Sequence, residues 1–308
     1  MMPKLNYKSP LLIALILSIS VYAFYGYWFQ TAEYNDWIAC KGLMRSLVNK
    51  NIKEPDVFRK EAKSLIHKVH YGAAHQTLAE LYKHMNEFAL SEQAYYKAIE
   101  STNFDYINEK SVLGLIELYF LHPEMNNEEQ GVRLAADFVK SHPDHPAALN
   151  YLAIHQYNQG NYLSAVDGWE RILTQTTDWH LRSTLVQTIL KAEQRVSEKA
   201  VLITALLDFS DIDTRIEDGD VLYVIIKAAD NSMPWIASKF SAGEVYNSSV
   251  LLGRRMALYS LPEDQMSDLY LEALVSKADK PLPEDAIIRS IRYPLSNKLG
   301  SEITVKFH

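Results

Sequence analysis

Cysteine is almost absent from this chain of 308 residues, which has a single one, Cys40. One cysteine excludes an intrachain disulfide, a CxxC redox pair and a structural zinc site built from several thiolates. A lone cysteine is more often a small apolar side chain than a reactive thiol, and we expect that role for Cys40.

An excess of basic charge is also absent, since 38 Asp and Glu residues outnumber 31 Lys and Arg, the net charge is −7 and no long run of Lys or Arg occurs. Proteins that bind nucleic acids carry a basic face, so the sequence argues against a nucleic-acid partner. The motifs GxGxxG, GxSxG and the Walker loop are missing as well. Because those motifs carry much of the common phosphate-binding and nucleophile chemistry, we expect a protein that is not an enzyme and has no cofactor.

Ten histidines raise the question of a metal or haem site. His67 and His70 lie one helical turn apart, which is a possible ligand geometry, and His142 and His145 flank a predicted turn. No second cysteine and no cluster of carboxylates accompanies them. We therefore predict surface or interhelical histidines and no metal site.

One long apolar run extends over residues 10–29 (PLLIALILSISVYAFYGYWF) and contains no charged residue. At about 1.5 Å per residue, its length matches a hydrocarbon core of ~30 Å. Its aromatic end would lie among the lipid headgroups. Lys4 and Lys8 precede the run, and Glu33 and Asp36 follow it. The positive-inside rule then predicts a cytoplasmic N-terminus, with the rest of the chain on the other side of the membrane.

Two other interpretations of this run fit less well. A cleaved signal peptide needs a small-x-small cleavage site, and none follows directly. A lipoprotein signal ending at Cys40 is disfavoured because the polar stretch 30–36 separates that cysteine from the apolar run. The sequence therefore favours one uncleaved membrane anchor within residues 1–30.

Two segments match the helix-turn-helix template of tetratricopeptide (TPR) repeats, which is ~34 residues long. They are residues 72–105 and 146–179, and each places small and aromatic residues where two antiparallel helices would pack. Residues 106–145 form a degenerate copy with a long turn at 122–129. Residues 179–196 form one more amphipathic helix, predicted to cap the stack with a polar outer face. The matching positions are Leu78, Ala79, Tyr82, Asn86 (turn), Ser91, Tyr95 and Ala98, then Leu152, Ala153, Gly160 (turn), Ala165, Trp169 and Ile172.

Short β-branched runs replace the helical pattern from about residue 200, separated by Gly, Pro, Asp and Asn. Seven runs at this spacing predict a small antiparallel β-sandwich. The predicted fold is thus mainly α with a β domain: anchor segment 1–30, juxtamembrane helical segment 31–70, TPR α-solenoid 71–197 and β-sandwich 198–308. The predicted strands are 200–209, 220–228, 234–240, 249–255, 269–277, 286–293 and 301–307.

A TPR stack lines its inner groove with side chains from the first helix of each repeat. On the sequence alone, residues at these positions either contact a peptide or merely face solvent. The repeat register assigns to the groove Gln76, Glu80, Lys83 and His84 from the first repeat, and Asn150, Ile154, Tyr157 and Asn158 from the third.

The order of anchor, TPR block and short β domain resembles the TPR subunit of the bacterial System I cytochrome c maturation apparatus, the apocytochrome c chaperone often called CcmI or CycH. The resemblance covers roughly residues 71–306. It rests on 142–173 (HPDHPAALNYLAIHQYNQGNYLSAVDGWERIL) and on 220–287, which contains DVLYVIIKAADNSMPWIASKF, SVLLGRRMAL and LYLEALVSKADKPLPEDAI. Two features depart from the family. Its long members have two membrane spans, and Lys227 and Lys280 stand at or near places where it has Arg or Gly.

The resemblance implies a chaperone that binds apocytochrome c and presents its haem-attachment motif to the membrane subunits of the haem lyase. It also implies a single-pass protein of the bacterial inner membrane, with its bulk in the periplasm. The alternative from the sequence is a generic TPR scaffold of the envelope, serving the assembly of a pilus, a secretion system or the cell wall.

Overall fold

The computed structural model describes residues 32–50, 55–101, 104–212, 215–217, 219–228, 233–260, 268–278, 283–296 and 298–308. The predicted anchor over residues 10–29 lies outside these ranges. Within them, no helix combines the length and the apolar character that a membrane crossing demands.

The described chain is mainly helical and ends in a sheet domain. It divides into two compact units, one up to Ser141 and one from His142 onward. The helices are α1 (Ala32–Val48), α2 (Pro55–Leu65), α3 (Gly72–His84), α4 (Phe88–Ser101), α5 (Asp105–Leu121), α6 (Glu128–Ser141), α7 (Pro146–Asn158), α8 (Tyr162–Gln175) and α9 (Trp179–Val196).

Helices α3 and α4 form the hairpin predicted over residues 72–105. Asn86 occupies the turn with φ 59°, a left-handed conformation that Asn tolerates better than most residues. Leu78 and Ala79 are fully buried. The Ser91 hydroxyl donates a hydrogen bond to the Ala79 carbonyl at 2.8 Å, which requires a small residue where the helices approach.

Helices α5 and α6 form the second pair, joined by the predicted long turn. A 3₁₀ turn (Pro123–Met125) ends at Asn126, which has φ 55°. Helix α5 comes close to α4 at Gly114, where any Cβ would overlap the ring of Tyr95. The degenerate sequence of this copy therefore still encodes two packed helices.

Helices α1 and α2 share the core of the first unit with α3. The periodicity of residues 56–69 predicts one amphipathic helix with an apolar stripe of Val57, Leu65, Ile66 and Val69. The helix instead ends at Leu65. Its predicted apolar stripe needs a second correction, because Val57 is 57% exposed. Ile66 and Val69 are buried, but from the turn that follows the helix, where the 3.6-residue period no longer applies.

In the second unit, α7 and α8 form the hairpin predicted over residues 146–179, with Gly160 in the turn at φ 80°. Ala165, Trp169 and Ile172 are buried as predicted. The indole N–H of Trp169 donates to Asn150 Oδ1 at 3.0 Å, so a polar pair accompanies the aromatic packing between the helices.

Helix α9 has the predicted bounds but lacks the predicted polar outer face. Its Leu190 clusters with Val201 and Leu251 of the sheet domain. Gln187 bonds both main-chain groups of Leu251, its Nε2 donating to the carbonyl at 2.9 Å and its Oε1 accepting from the amide at 2.8 Å. The helix is therefore an internal layer between a helical hairpin and a sheet, and not the free end of a stack.

All seven predicted strand regions contain strands, in two sheets of order β4-β1-β8 and β3-β2-β5-β6, with β7 also paired to β5. The last region before β8 is split in two. The sheets share one apolar core, to which β1, β2 and β5 contribute most of their inward side chains. The strands are β1 (Val201–Asp208), β2 (Val221–Ala228), β3 (Ile236–Ser241), β4 (Ser249–Gly253), β5 (Leu269–Ser276), β6 (Ile288–Arg289), β7 (Tyr293–Pro294) and β8 (Ser301–Lys306).

The predicted sandwich is purely antiparallel, and this is wrong for one pair of strands. Strands β1 and β8 are parallel, with Ile203 opposite Ser301 and Asp208 opposite Lys306. Alternating hydrophobicity indicates that a strand has a buried face, but it does not indicate the direction of its neighbour. Between β1 and β8 the chain passes through β2 to β7. This long connection allows β8 to run in the same direction as β1.

Candidate functional site

A cavity of about 550 Å³ opens in the first unit, lined by side chains from α1, the start of α3 and the start of α5. Five of its eleven lining residues are aromatic, and two are lysines. Helix α3 contacts both α1 and α5. The lining residues are Tyr34, Trp37, Lys41, Tyr71, Ala73, Gln76, Thr77, Phe104, Tyr106, Ile107 and Lys110. We call this feature the aromatic cavity.

Helix α1 supplies three of these side chains from one face. Tyr34, Trp37 and Lys41 follow one another at spacings of three and four residues, which places them on the same side of a helix. The rings of Tyr34 and Trp37 are 6.0 Å apart between centroids. The ammonium nitrogen of Lys41 lies 3.8 Å from the centroid of the Trp37 ring, a cation–π contact.

Helix α5 repeats the same pairing of an aromatic ring with a lysine. Phe104 is the residue before the helix, and Tyr106 and Lys110 are four residues apart within it. Lys110 Nζ lies 4.6 Å from the centroid of the Tyr106 ring. Phe104 and Tyr106 are 59% and 64% exposed, so two large aromatic side chains remain open to solvent beside a cavity.

Helix α3 closes the cavity between these two pairs. Tyr71 precedes the helix, and Gln76 and Thr77 follow on its first turns. The Thr77 hydroxyl donates to the Ala73 carbonyl at 2.9 Å. Among the described lining residues there are two ammonium groups and no carboxylate. The nearby carboxylate of Asp36 accepts a hydrogen bond from the His70 main-chain N–H at 3.4 Å.

Of the groove residues predicted in the first repeat, Gln76 lies in the aromatic cavity. Glu80 and Lys83 lie outside its lining and bond to protein groups. Glu80 accepts from the Tyr95 hydroxyl at 2.5 Å, and Lys83 Nζ lies 3.0 Å from both Glu80 and Glu117. Burial opposes the charge of Lys83, but the two carboxylates outweigh it and raise its pKa. His84, the fourth predicted residue, is exposed.

The groove residues predicted in the third repeat belong to the second unit. Asn150 accepts the hydrogen bond from the Trp169 indole N–H, as described above. The Tyr157 ring lies 6.0 Å from that of Trp169, and its hydroxyl is hydrogen-bonded to Arg195. Ile154 is 38% exposed and Asn158 is exposed. Asn150 and Tyr157 therefore meet around Trp169, whereas Ile154 and Asn158 face solvent.

The histidines and the cysteine form no ligand set. Among the described residues, no group of three or more His, Cys, Asp and Glu side chains is arranged to hold a metal ion. His67 and His70 are exposed. His75 is 4% exposed, and burial, followed by the charge of Lys97, lowers its pKa to about 4. Cys40 is fully buried in the core of the first unit, as an apolar side chain would be.

Comparisons with protein-family models, with curated proteins and with solved structures give no match for this chain.

The repeat register identified one residue of the aromatic cavity, Gln76, and missed the rest. The aromatic residues and lysines of α1 and α5 lie before the first repeat or at the start of the degenerate one. A usable signal was present nonetheless. Tyr34, Trp37 and Lys41, and then Tyr106 and Lys110, are aromatic and basic residues at helical spacing.

Proposed function

We propose that this chain is a non-enzymatic scaffold of the TPR type that binds unfolded polypeptide. Its proposed client is an apocytochrome c, which it would present to the membrane subunits of the haem lyase. The observation that carries the proposal is the aromatic cavity, because it lies between α1, α3 and α5. In a TPR-type stack, the first helices of successive pairs line the peptide groove.

The proposal includes a location and a more detailed fold. Residues 10–29 would form a single anchor in the bacterial inner membrane, with the N-terminus in the cytoplasm and the bulk in the periplasm. Support comes from the length of the uncharged run and from the lysines before it. The helical pairs support a TPR solenoid. The two sheets around one core support a β-sandwich, with the one parallel pair already described.

A binding experiment with the full-length chain tests the function. We expect an apocytochrome c to bind, and the same cytochrome to bind more weakly once its haem is attached and it has folded. The reason is that folding buries the segments that a groove needs exposed. Fluorescence anisotropy of labelled apo and holo cytochrome would measure the difference. If both forms bind alike, the generic envelope scaffold becomes the better account. If neither binds, the chaperone function is wrong.

A further inference from the structure

From its lining, we infer that the aromatic cavity binds a peptide segment in which an aromatic side chain lies between two carboxylates. The inference rests on the proposed function, since it assumes that the occupant is a polypeptide, and it adds the chemistry that the cavity recognises. Three observations support it: the aromatic walls, the sign of the local charge, and the order of the contributing helices.

The aromatic walls favour an aromatic side chain as the central group. The five rings come from Tyr34, Trp37, Tyr71, Phe104 and Tyr106. Aromatic pairs in offset or edge-to-face contact gain free energy beyond the area they bury. A volume of about 550 Å³ holds such a side chain with its flanking main chain. Covering the exposed rings of α5 would also remove apolar surface from water.

The local charge favours carboxylates beside that side chain. Lys41 and Lys110 are the charged groups among the described lining residues, although the chain as a whole has a net charge of −7. Each ammonium lies over a ring and has three N–H donors, so the ring contact leaves donors for an oxygen ligand. A carboxylate there would form a charge-assisted hydrogen bond. The Gln76 amide offers a donor and an acceptor for the peptide main chain.

The order of the helices favours a peptide with charges on both sides over a single anionic headgroup. Lys41 is on α1 and Lys110 is on α5, and α3 contacts both of these helices. The two ammonium groups therefore reach the cavity from two different helices. A segment of the form carboxylate–aromatic–carboxylate offers a carboxylate to each ammonium group, whereas a single phosphate is one anionic group for two lysines.

Three fluorescein-labelled Gly/Ser peptides test the inference with the full-length chain. Their centres are Glu-Phe-Glu, Gln-Phe-Gln and Glu-Ala-Glu. We expect the first to bind about tenfold more tightly than either of the others, because each of those lacks one kind of contact. Its affinity should fall as ionic strength rises, since the cavity is open to solvent. Equal affinity for the three peptides would overturn the inference.

Variants then locate the binding site. Lys41→Gln with Lys110→Gln should remove the preference for Glu-Phe-Glu over Gln-Phe-Gln, and Tyr106→Ala should weaken both. The matched controls are Lys60→Gln with Lys140→Gln, which removes two exposed lysines elsewhere in the first unit, and Leu121→Ala, which trims an exposed apolar residue at the far end of α5. Neither control should change the affinities. Circular dichroism of each variant would verify its fold.

The outcomes separate this inference from the proposed function. If apocytochrome c binds and the lysine double variant binds it equally well, the inference fails while the polypeptide-binding function stands. If no polypeptide binds, both fail. Phosphatidylglycerol vesicles added as competitor distinguish a lipid site. Displacement of the Glu-Phe-Glu peptide by them, but not by neutral phosphatidylcholine vesicles, would overturn the inference in favour of a membrane contact.

Discussion

At the scale of single residues, Trp169 needs a hydrogen-bond acceptor in addition to the buried position that the repeat pattern predicts. Its ring is 3% exposed, as the pattern predicted. An indole N–H that leaves water needs an acceptor, and Asn150 on the facing helix supplies one. Asn150 was assigned to the groove because of its register. It therefore supports the hairpin, and its contribution to stability exceeds that of a side chain that only faces solvent.

Replacing Asn150 tests this residue-scale account. Asn150→Ala should lower the free energy of unfolding by about 1–2 kcal/mol, because the buried indole donor loses its acceptor. Asn158→Ala is the matched control on the same helix, and its exposed side chain should contribute less than about 0.5 kcal/mol. Urea unfolding followed by fluorescence would compare them. Equal effects of the two substitutions would mean that the Trp169 hydrogen bond contributes nothing to stability.

At the scale of elements, local sequence patterns predict where helices and strands lie in the chain, but they do not predict which elements pack against each other. The turn residues Asn86 and Gly160 marked the hairpins because their left-handed φ values favour those residue types. The direction of β8 against β1 and the covering of α9 by the sheet both depend on contacts between segments far apart in the chain. Periodicity contains no information about such contacts. For the same reason, the repeat register found Gln76 and missed the rings that α1 and α5 bring to it.

The contact between α9 and the sheet domain depends on a glycine. A Cβ at Gly253 would overlap Leu190 Cδ2 and lie 2.8 Å from the Ala200 carbonyl oxygen. Gly253→Ala should therefore cost about 1–3 kcal/mol of unfolding free energy by overpacking. Gly42→Ala is the control, since a Cβ there meets no atom within 4 Å. In the interior of α1 it should stabilise by up to about 1 kcal/mol. A destabilisation no larger than that of an exposed substitution would show that Leu190 and the Ala200 carbonyl move aside at little cost, so that the contact does not depend on this glycine.

At the scale of the whole molecule, the predicted domains and the compact units divide the chain differently. The pattern of hydrophobic residues changes near residue 198, where β-branched runs replace the helical periodicity. Compactness instead divides the chain between Ser141 and His142, so α7, α8 and α9 belong with the strands. A composition shift reports local structure, whereas a compact unit is defined by burial between elements. Within the second unit, the hydrogen bond of Gln187 joins α9 to β4, and that of Arg255 joins α9 to the turn after β4.

The orientation of the chain at a membrane is the property on which the proposed function depends most. A haem lyase client that matures outside the cytoplasm can meet this protein only if residues 32–308 lie on that side. Lys4 and Lys8 before the apolar run, with Asp36 after it, predict that arrangement. A reporter that is active only outside the cytoplasm, fused after His308, should therefore be active. Deleting residues 10–29 from the same fusion should abolish the signal, because the lysines alone do not direct export. Activity of a cytoplasm-only reporter at His308 would contradict the location and, with it, the apocytochrome c client.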